Sequence, residues 1–543
     1  MFLPPNVSKE LLPWKKAELL LAVCLLGIPI LFLLRDGYYI TETLSSKYRI
    51  AGVVNSPYIS NVKVDLNDGQ LKGFLESLPL MTLVAIVFVV LRRILFHIHK
   101  SVTLSLYYYA VFGIGYAAYI HGPGVLFLLG MILSNYAVAS TMAGIKGFPL
   151  VIWIGNLSFM LMAEYYHGFK FAWVAKNLSF LDHFPVLLSW YRVNNLCMLK
   201  VVSFLIDYHW KISNKLIPTH EKHMSKCDEC KKDVLCLKFR MESHANRYGL
   251  LCFIAYNFYP PLYLAGPTLT YNAWISQVEI PQQTFDRKRL ILYILRFCFI
   301  FFLLLWFMHY LYFPTIANNS RNRHILDAMT PYELIVASYL ILKWIWLKFT
   351  MIWRYSRIWA LFDDIESPEN MGRCMTNNYC FEGFWRMWHR AFNQWLIRYL
   401  FIPLGGSRYK IFNIWIVFGY VALWHDLTLN LLAWGWGMCL FIMPEVLVKA
   451  YFASPKMENF RKTLTYSWMC AVAGGIYICL MIMANLVGFS FGLAGLKITL
   501  EGMINWDGLL LMIKVLITLV FGTHFMFLYR EDEVRRGIKD KGY

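Results

Sequence analysis

The chain is dominated by apolar segments that are long enough to cross a membrane and that recur along almost its whole length. With 58% hydrophobic and only 16% charged residues among 543, it is too apolar for a soluble enzyme. Only short polar stretches separate the segments, so the sequence predicts one all-α, polytopic membrane bundle. The predicted spans are 17–34, 78–96, 102–121, 125–142, 148–163, 249–264, 290–314, 332–353, 411–425, 428–449, 465–489 and 508–528.

Three other stretches do not read as simple spans. The segments 186–208 and 384–403 are apolar but contain charged and amide side chains, so we expect buried or interfacial helices there. The segment 35–79 mixes both charges with Asn and Gly, which favours a folded loop on the lumenal or extracellular side.

The formal net charge is +19, but the basic residues are spread over several loops. Basic segments beside membrane spans orient helices and lie against anionic headgroups, so no nucleic-acid partner is needed. The same rule predicts that the 209–247 loop and the tail after Leu528 lie in the cytosol. Lys15 and Lys16 precede the first apolar run without a cleavage signature, which favours a retained first span.

The twelve cysteines are scattered, as small apolar fillers are, and they imply no disulfide framework. One group stands apart, because His220, His223, Cys227 and Cys230 follow one another in the basic loop, with Cys236 just beyond. These ligand types at these spacings suit a tetrahedral zinc ion. Free thiols in a reducing cytosolic loop are the alternative.

Several classes of membrane protein are disfavoured. The sequence has no internal repeat, no phosphate-binding glycine loop and no nucleophile elbow. It is also poor in paired intramembrane acids and has no ladder of basic residues within a span, which argues against an ion-coupled pump or a voltage-gated channel. Transport by other means stays open.

Two histidines are the strongest indication of a functional site. His425 lies at the end of the apolar run that begins at Ile411, where an imidazole is costly to bury. It either serves a function or is a core histidine bonded to a neighbouring helix. His389 lies 36 residues earlier, within reach of one helical hairpin.

The segment around His389 is predicted as one helix. In that helix Asn393 shares a face with His389, so that both can approach one ligand, and Gln394 lies beside them. The aromatic side chains form a stripe that suits core packing or an interfacial belt. This stripe comprises Trp385, Trp388, Phe392 and Trp395.

Three arginines interleave with these residues, at Arg386, Arg390 and Arg398. They suit a helix near the headgroup level and would attract an anionic group such as the phosphates of CoA. Simple snorkelling of their side chains to the membrane surface is the alternative.

Pro403 and the pair Gly405 and Gly406 predict a turn that ends this helix before the next one begins at Ile411. Simple antiparallel packing across this turn would leave the two histidines at opposite ends of adjacent helices. A flat or re-entrant first helix would bring them together, and the many polar groups around His389 favour that geometry.

Three stretches of the chain carry a family resemblance: 259–267, 384–406, and 421–426 with 443–445. They contain a Trp-x-x-Trp-His helix, the turn Tyr-Leu-Phe-Ile-Pro-Leu-Gly-Gly and a later Trp-His motif, in that order. In this the sequence resembles the membrane-bound O-acyltransferase (MBOAT) superfamily. It is most similar to the glycerol-uptake-protein-like (Gup) branch, the one nearest hedgehog acyltransferase.

The resemblance implies a bundle of about 11–13 transmembrane helices, with re-entrant or interfacial helices, around a tunnel through the membrane. Acyl-CoA would enter from the cytosolic side and the acceptor from the other. The single domain would cover 1–543. Its expected parts are peripheral helices and the lumenal loop in 1–200, the basic loop in 209–247, the catalytic core in 249–450, and C-terminal helices with a basic tail in 465–543.

The resemblance also implies roles for individual residues. His425 matches the near-invariant histidine of the family, and His389 matches a second catalytic position that members fill with Asn, Asp or His. We predict substrate contacts from Asn393, Trp388, Arg386, Arg390, Arg398 and Trp424.

The chemistry agrees with these assignments. Acyl transfer from a thioester to a hydroxyl needs a base near neutral pH, which His425 would supply. His389 or Asn393 would polarise the thioester carbonyl or stabilise the oxyanion. No covalent acyl-enzyme and no bound cofactor are required, and acyl-CoA is the co-substrate.

The resemblance to the Gup branch implies that the acceptor is a lipid hydroxyl, that of a lyso-glycosylphosphatidylinositol (lyso-GPI) anchor during remodelling in the endoplasmic reticulum membrane. Fatty acylation of a secreted protein, and a transporter or scaffold without catalysis, are the alternatives. The partners would be acyl-CoA, the lipid acceptor and the bilayer.

One cysteine also resembles a cofactor position. Cys374 precedes His389 by 15 residues and is similar in place to the haem-ligating cysteine of hedgehog acyltransferase. A thiolate can ligate haem iron, and the neighbouring Arg373 would pair with a propionate. A structural thiol is the alternative.

Overall fold

The computed structural model describes residues 13–57, 59–213, 223, 227, 229–232 and 234–535, and these are almost entirely helical. The first helices are α1 (Pro13–Lys47), α2 (Gly69–His99), α3 (Val102–His121), α4 (Val125–Met142), α5 (Phe148–Tyr165), α6 (Phe171–Val174) and α7 (Trp190–Ile212). The middle ones are α8 (Leu237–Glu242), α9 (Leu250–Asn257), α10 (Tyr271–Glu279), α11 (Arg287–Tyr310), α12 (Phe313–Asn318), α13 (Arg323–Asp327) and α14 (Pro331–Phe362). The last are α15 (Phe381–Met387), α16 (Arg390–Leu396), α17 (Lys410–His425), α18 (Leu429–Phe452), α19 (Glu458–Arg461), α20 (Leu464–Phe489), α21 (Gly492–Met503) and α22 (Trp506–Arg535).

Eight stretches of helix in the described chain are long and apolar enough to cross a membrane. They are Gly69–His99, Val102–Met142, Phe148–Tyr165, Arg287–Tyr310, Pro331–Phe362, Leu429–Phe452, Leu464–Phe489 and Trp506–Val534. Nine of the predicted spans correspond to them, because Val102–Met142 accounts for two, although 290–314 extends beyond Tyr310 and 428–449 begins one residue before Leu429. The predicted first span, 17–34, lies within α1. The prediction of an all-α polytopic membrane protein is therefore confirmed.

The predicted spans 249–264 and 411–425 are not among these eight stretches. In 249–264 the helix α9 ends at Asn257, and the prolines Pro260 and Pro261 lie in a 3-10 turn that cannot continue it. In 411–425 the helix α17 has only 16 residues, short of the roughly 20 that a span needs.

The expected loop at 35–79 is shorter than predicted, because α1 continues to Lys47 and α2 begins at Gly69. Between them lies an antiparallel hairpin of β1 (Val53–Asn55) and β2 (Lys63–Asp65), with Val54 opposite Val64. This short sheet is the only one among the described residues.

α14 runs through the interior of the bundle. In the most apolar stretch of α14, 72% of the residues are buried, compared with 11% in that of α2, so α14 contacts protein along most of its length. It begins at a capping box in which the Thr330 hydroxyl accepts from the Glu333 peptide N–H and the Glu333 carboxylate accepts from the Thr330 peptide N–H. Pro331 occupies the first helical position.

α7 is a second interior helix, as its polar residues predict. Asn194, Lys200 and Asp207 are all buried in it. The Lys200 ammonium donates to the Asn257 carbonyl (3.1 Å), and Asp207 accepts from the Tyr399 hydroxyl (2.8 Å). Because protein groups bind Lys200 and Asp207, the prediction of a buried helix in 186–208 is confirmed, although the helix begins only at Trp190.

Candidate active site

The predicted single helix around His389 is wrong, because the chain breaks between α15 and α16. His389 adopts a left-handed conformation (φ 46°, ψ 45°), which an α-helix interior does not contain. Asn370 stabilises the break: its carbonyl accepts from the Arg390 peptide N–H (3.1 Å) and its side chain accepts from that of Ala391 (3.0 Å). The first two peptide N–H groups of α16 thus have hydrogen-bond acceptors in place of the carbonyls that a continuous helix would have supplied.

The left-handed backbone conformation directs the half-buried His389 imidazole toward a group of aromatic rings. It stacks on Trp353 of α14, with ring centroids 4.6 Å apart and planes 14° apart. Phe392 and Trp424 lie at centroid distances of 5.0 and 6.1 Å. The site therefore joins α14, α16 and α17.

His425 is the last residue of α17 and has aromatic neighbours on several sides. The centroids of Trp424, Phe489 and Trp434 lie 4.9, 5.6 and 6.1 Å from that of its imidazole. Trp424 and Trp434 are buried, whereas His425 is exposed. The exposed surface of the residue lets a substrate reach it, while the rings around the imidazole limit its contact with bulk water.

The two histidines come together through ordinary antiparallel packing. Phe392 stacks on Trp424 at 4.5 Å and Trp395 stacks on Tyr420 at 6.1 Å, so α16 and the end of α17 run in opposite directions side by side. The beginning of α16 therefore lies beside the end of α17. The expectation that antiparallel packing would separate the histidines is wrong.

The turn between these helices has the predicted chemistry. After α16 the chain forms a π-helical turn, Ile397–Phe401, and the helix ends there. Gly405 and Gly406 both have positive φ values, 93° and 57°, which glycine adopts without strain.

A residue of α7 fixes the end of α17. The Trp424 indole N–H donates to the Asn195 carbonyl (2.9 Å), and the Asn195 amide donates to the Trp424 carbonyl (2.7 Å). Together these bonds hold the residue that contacts both histidines. The sequence marked Asn195 only as a polar residue in an apolar helix, and nothing local connected it with the site.

The three arginines have different surroundings. Arg398 pairs with the buried Asp207 (2.9 Å), so its charge is already neutralised inside the protein. Arg386 is exposed and pairs with Glu382 of its own helix (2.8 Å), a contact that solvent weakens. Arg390 is half-buried at the start of α16. Arg386 is therefore better placed than Arg398 to meet an anionic substrate.

The other predicted substrate contacts lie close to the break. Trp388 is half-buried, stacks on Phe384 at 5.7 Å, and forms a single antiparallel bridge with Met371. Asn393 is half-buried one helical turn after His389, whose carbonyl accepts its peptide N–H (3.0 Å).

Cys374 and Arg373, the two residues considered for haem binding, both have partners within the protein. The Lys343 ammonium donates to its sulfur (3.2 Å), and this nearby positive charge helps to lower the thiol pKa although burial opposes the shift. Arg373, expected to pair with a propionate, makes a bidentate ion pair with Glu533, with both distances 2.8 Å.

The candidate metal ligands are brought together in part. His223, Cys227, Cys230 and Cys236 form one cluster, in which Cys236 takes the place expected for His220. His220 itself lies outside the described residues.

A helical bundle that holds two histidines in a shared aromatic site, within a multi-pass membrane protein, has the features of a membrane-embedded transferase. The family model for MBOAT, membrane-bound O-acyltransferase, matches residues 144–491. The chain belongs to this family and is an acyltransferase.

Individual relatives agree with the branch that the motifs indicated. Membrane-bound O-acyltransferase gup1 of Schizosaccharomyces pombe is 33% identical over 513 residues, which cover 92% of this chain and 86% of the relative. Membrane-bound O-acyltransferase GUP1 of Saccharomyces cerevisiae is 30% identical over 501 residues, covering 90% and 86%. Protein-cysteine N-palmitoyltransferase HHAT of Mus musculus is 23% identical over 188 residues, covering 33% and 37%.

Proposed function

We propose that the protein transfers a fatty acyl chain from acyl-CoA to a lipid hydroxyl, with His425 as the base. The observation that carries this proposal is the pair of histidines on one aromatic site: Trp424 contacts both imidazoles, at 6.1 Å from His389 and 4.9 Å from His425. Acyl transfer needs one group on the attacking hydroxyl and another on the carbonyl oxygen, and two adjacent imidazoles can supply both.

In the proposed reaction the imidazole of His425 takes the proton of the acceptor hydroxyl as its oxygen attacks the thioester carbon. The C–O bond forms and the carbonyl electron pair moves onto oxygen. When the tetrahedral intermediate collapses, the C–S bond breaks and the proton passes from His425 to the departing sulfur. The products are an ester and free CoA, so no covalent enzyme intermediate is needed.

His389 is assigned to the carbonyl oxygen. Its left-handed conformation at the start of α16 turns the imidazole away from the helix axis and against Trp353, which restricts its orientation. A fixed donor in an aromatic, poorly hydrated site stabilises a developing oxyanion more than a mobile one in water does. Asn393, one turn later, is the second candidate for this role.

Arg386 and Arg390 are proposed to attract the phosphates of CoA. Guanidinium groups bind phosphate in a bidentate manner, and these two lie within four residues of His389. Arg398 is left out of this role because its ion pair with Asp207 is buried. The reaction has no step at a haem.

We propose the lyso-GPI anchor, in the endoplasmic reticulum membrane, as the acceptor. Support comes from the similarity to the Gup proteins along nine tenths of the chain. A secreted protein is the second candidate acceptor, favoured by the weaker similarity to a protein N-palmitoyltransferase over one third of the chain.

The test is transfer of labelled acyl-CoA to endogenous acceptors in microsomes that contain the wild type or His425→Ala. The expected result is a labelled lipid that forms only with the wild type and that phosphatidylinositol-specific phospholipase C cleaves. His183→Ala, which removes an exposed histidine, is the matched control and should keep full activity.

Other outcomes distinguish the parts of the proposal. Label on a protein that resists the lipase would replace the lipid acceptor by a protein acceptor. Equal labelling by the wild type and His425→Ala, at equal protein level, would remove His425 from the mechanism.

A further inference from the structure

The cluster of His223, Cys227, Cys230 and Cys236 lies on the segment between α7 and α8, and the proposed acyl transfer does not use it. The ligand atoms of the four residues all lie within 4.8 Å of one another. Cys230 and Cys236 are buried, with 1% and 0% of their surface exposed, and the other two residues are half-buried. The cysteines form no disulfide.

This spacing suits one metal ion at the centre of a tetrahedron. With Zn–S bonds of about 2.3 Å and Zn–N bonds of about 2.0 Å, neighbouring ligand atoms lie roughly 3.5–3.8 Å apart. The Nε2 atom of His223 lies 3.2 Å from the Cys236 sulfur, and every other pair falls inside 4.8 Å. Small side-chain adjustments would therefore complete the coordination.

The backbone around the sulfurs also suits thiolates. The Phe239 peptide N–H donates to the Cys236 sulfur (3.3 Å) where Cys236 caps the N-terminus of α8. The peptide N–H groups of Glu229 and Cys230 face the Cys227 sulfur. Such donors orient sulfur ligands and stabilise their negative charge.

The charge of the segment fits the same ion. Zinc with three thiolates and one neutral imidazole has a net charge of −1. Lys231, Lys232 and Lys238 lie within two residues of Cys230 or Cys236 along the chain. Their positive charges offset the remaining negative charge of such a centre.

We propose that His223, Cys227, Cys230 and Cys236 bind one structural zinc ion. Three thiolates and an imidazole select a soft, tetrahedral metal over Mg²⁺ or Ca²⁺. Four protein ligands leave no open coordination position, so the ion has a structural role. A disulfide would pair only two of the three sulfurs and would leave a thiol beside the imidazole.

The structure indicates what the ion would hold in place. Arg240, on α8 just after Cys236, is buried and donates to the carbonyls of Ser276 (2.8 Å), Ile280 (2.8 Å) and Pro281 (3.2 Å). The metal would attach the turn around Cys227 and Cys230 to the start of α8, and Arg240 attaches α8 to the end of α10. The zinc centre thus fixes this segment to the core of the bundle.

The experiment measures the metal content of the full-length protein, purified in detergent without chelators, by inductively coupled plasma mass spectrometry. The expected result is about one zinc per chain in the wild type and less than a fifth of that in Cys227→Ser/Cys230→Ser. Cys470→Ser, which removes a thiol outside the cluster, should keep the zinc of the wild type.

A second measurement uses the wild type alone and does not depend on how a variant folds. Cobalt(II) exchanged into the protein should give the visible and near-ultraviolet bands of a tetrahedral thiolate complex, and zinc should abolish them. Wild-type protein without zinc that also binds no added Zn²⁺ or Co²⁺ would overturn the proposal. Cysteine mapping that finds a Cys230–Cys236 disulfide, or zinc retained by the double variant, would do the same.

Discussion

Asn195 and Trp424 exchange two hydrogen bonds at the point where α7 passes the end of α17. Each residue donates from its side chain to the backbone carbonyl of the other, at 2.7 and 2.9 Å. Trp424 precedes His425 directly and lies beside His389. The position of both imidazoles therefore depends on a helix that lies 194 residues before His389 and 230 before His425, counted from Asn195.

We predict that Asn195→Ala lowers acyl transfer about tenfold, which corresponds to ~1.4 kcal/mol of lost transition-state stabilisation. The change removes one hydrogen bond to the Trp424 carbonyl and lets the end of α17 move. The measurement is the rate in microsomes at saturating acyl-CoA, with protein level and thermal stability determined in parallel. The apparent KM for acyl-CoA should change little, because Asn195 is a positioning residue. A loss of rate that only follows a loss of folded protein would contradict this role.

The two histidines should differ in their effects. His425→Ala removes the proposed base and should lower the rate on the order of 100-fold or more. His389→Asn keeps a hydrogen-bond donor at the carbonyl oxygen and should retain much more activity than His389→Ala. Rates of all three variants in one microsomal assay test this order. Equal losses for His389→Asn and His389→Ala would remove the donor role.

The spans could be predicted because long apolar runs are a local property of the sequence. The turn at Gly405 and Gly406 was predictable for the same reason, since the chemistry of a turn lies in its own residues. The failed span at 249–264 also had a local signal, the two prolines that follow Asn257, which the hydropathy outweighed.

The break at His389 could not be predicted from its own segment, because Asn370 stabilises it from outside that segment. The aromatic stripe at helical spacing instead favoured an unbroken helix. The place of Asn195 beside Trp424 is likewise a tertiary contact. Residues that act together here lie far apart in the sequence, so a single sequence identified the histidines but not the groups that position them.

The ion pair of Arg398 with Asp207 should be structural. Asp207 is fully buried and also accepts from the Tyr399 hydroxyl (2.8 Å). Asp207→Ala would leave the Arg398 charge without its partner, at a cost of about 3–5 kcal/mol in stability. Thermal unfolding in detergent measures this loss. The conservative Arg398→Lys should keep the KM for acyl-CoA, whereas a large rise in KM without destabilisation would instead place Arg398 at the CoA phosphates.

The hairpin of β1 and β2 provides a prediction on pH. Asp65 of β2 is buried and accepts hydrogen bonds from the Asn67 peptide N–H (3.0 Å) and the Thr315 peptide N–H (3.1 Å). Burial raises the pKa of the Asp65 carboxyl to about 6. Because this pKa lies above the unfolded value near 4, the folded hairpin binds the proton more tightly. The stabilisation that the protonated Asp65 carboxyl provides is fully present below about pH 4 and is lost as the pH rises through about 6.

The shift of about two pKa units corresponds to ~3 kcal/mol between pH 4 and pH 7. Hydrogen exchange of the 48–68 segment should therefore accelerate with pH more than intrinsic exchange chemistry requires. In Asp65→Asn the neutral amide does not titrate, so this additional pH dependence should disappear while the carbonyl oxygen keeps an acceptor for Thr315. Glu76→Gln, at an exposed carboxyl on α2, is the control and should behave as the wild type. The same pH dependence in Asp65→Asn as in the wild type would show that another group controls the hairpin.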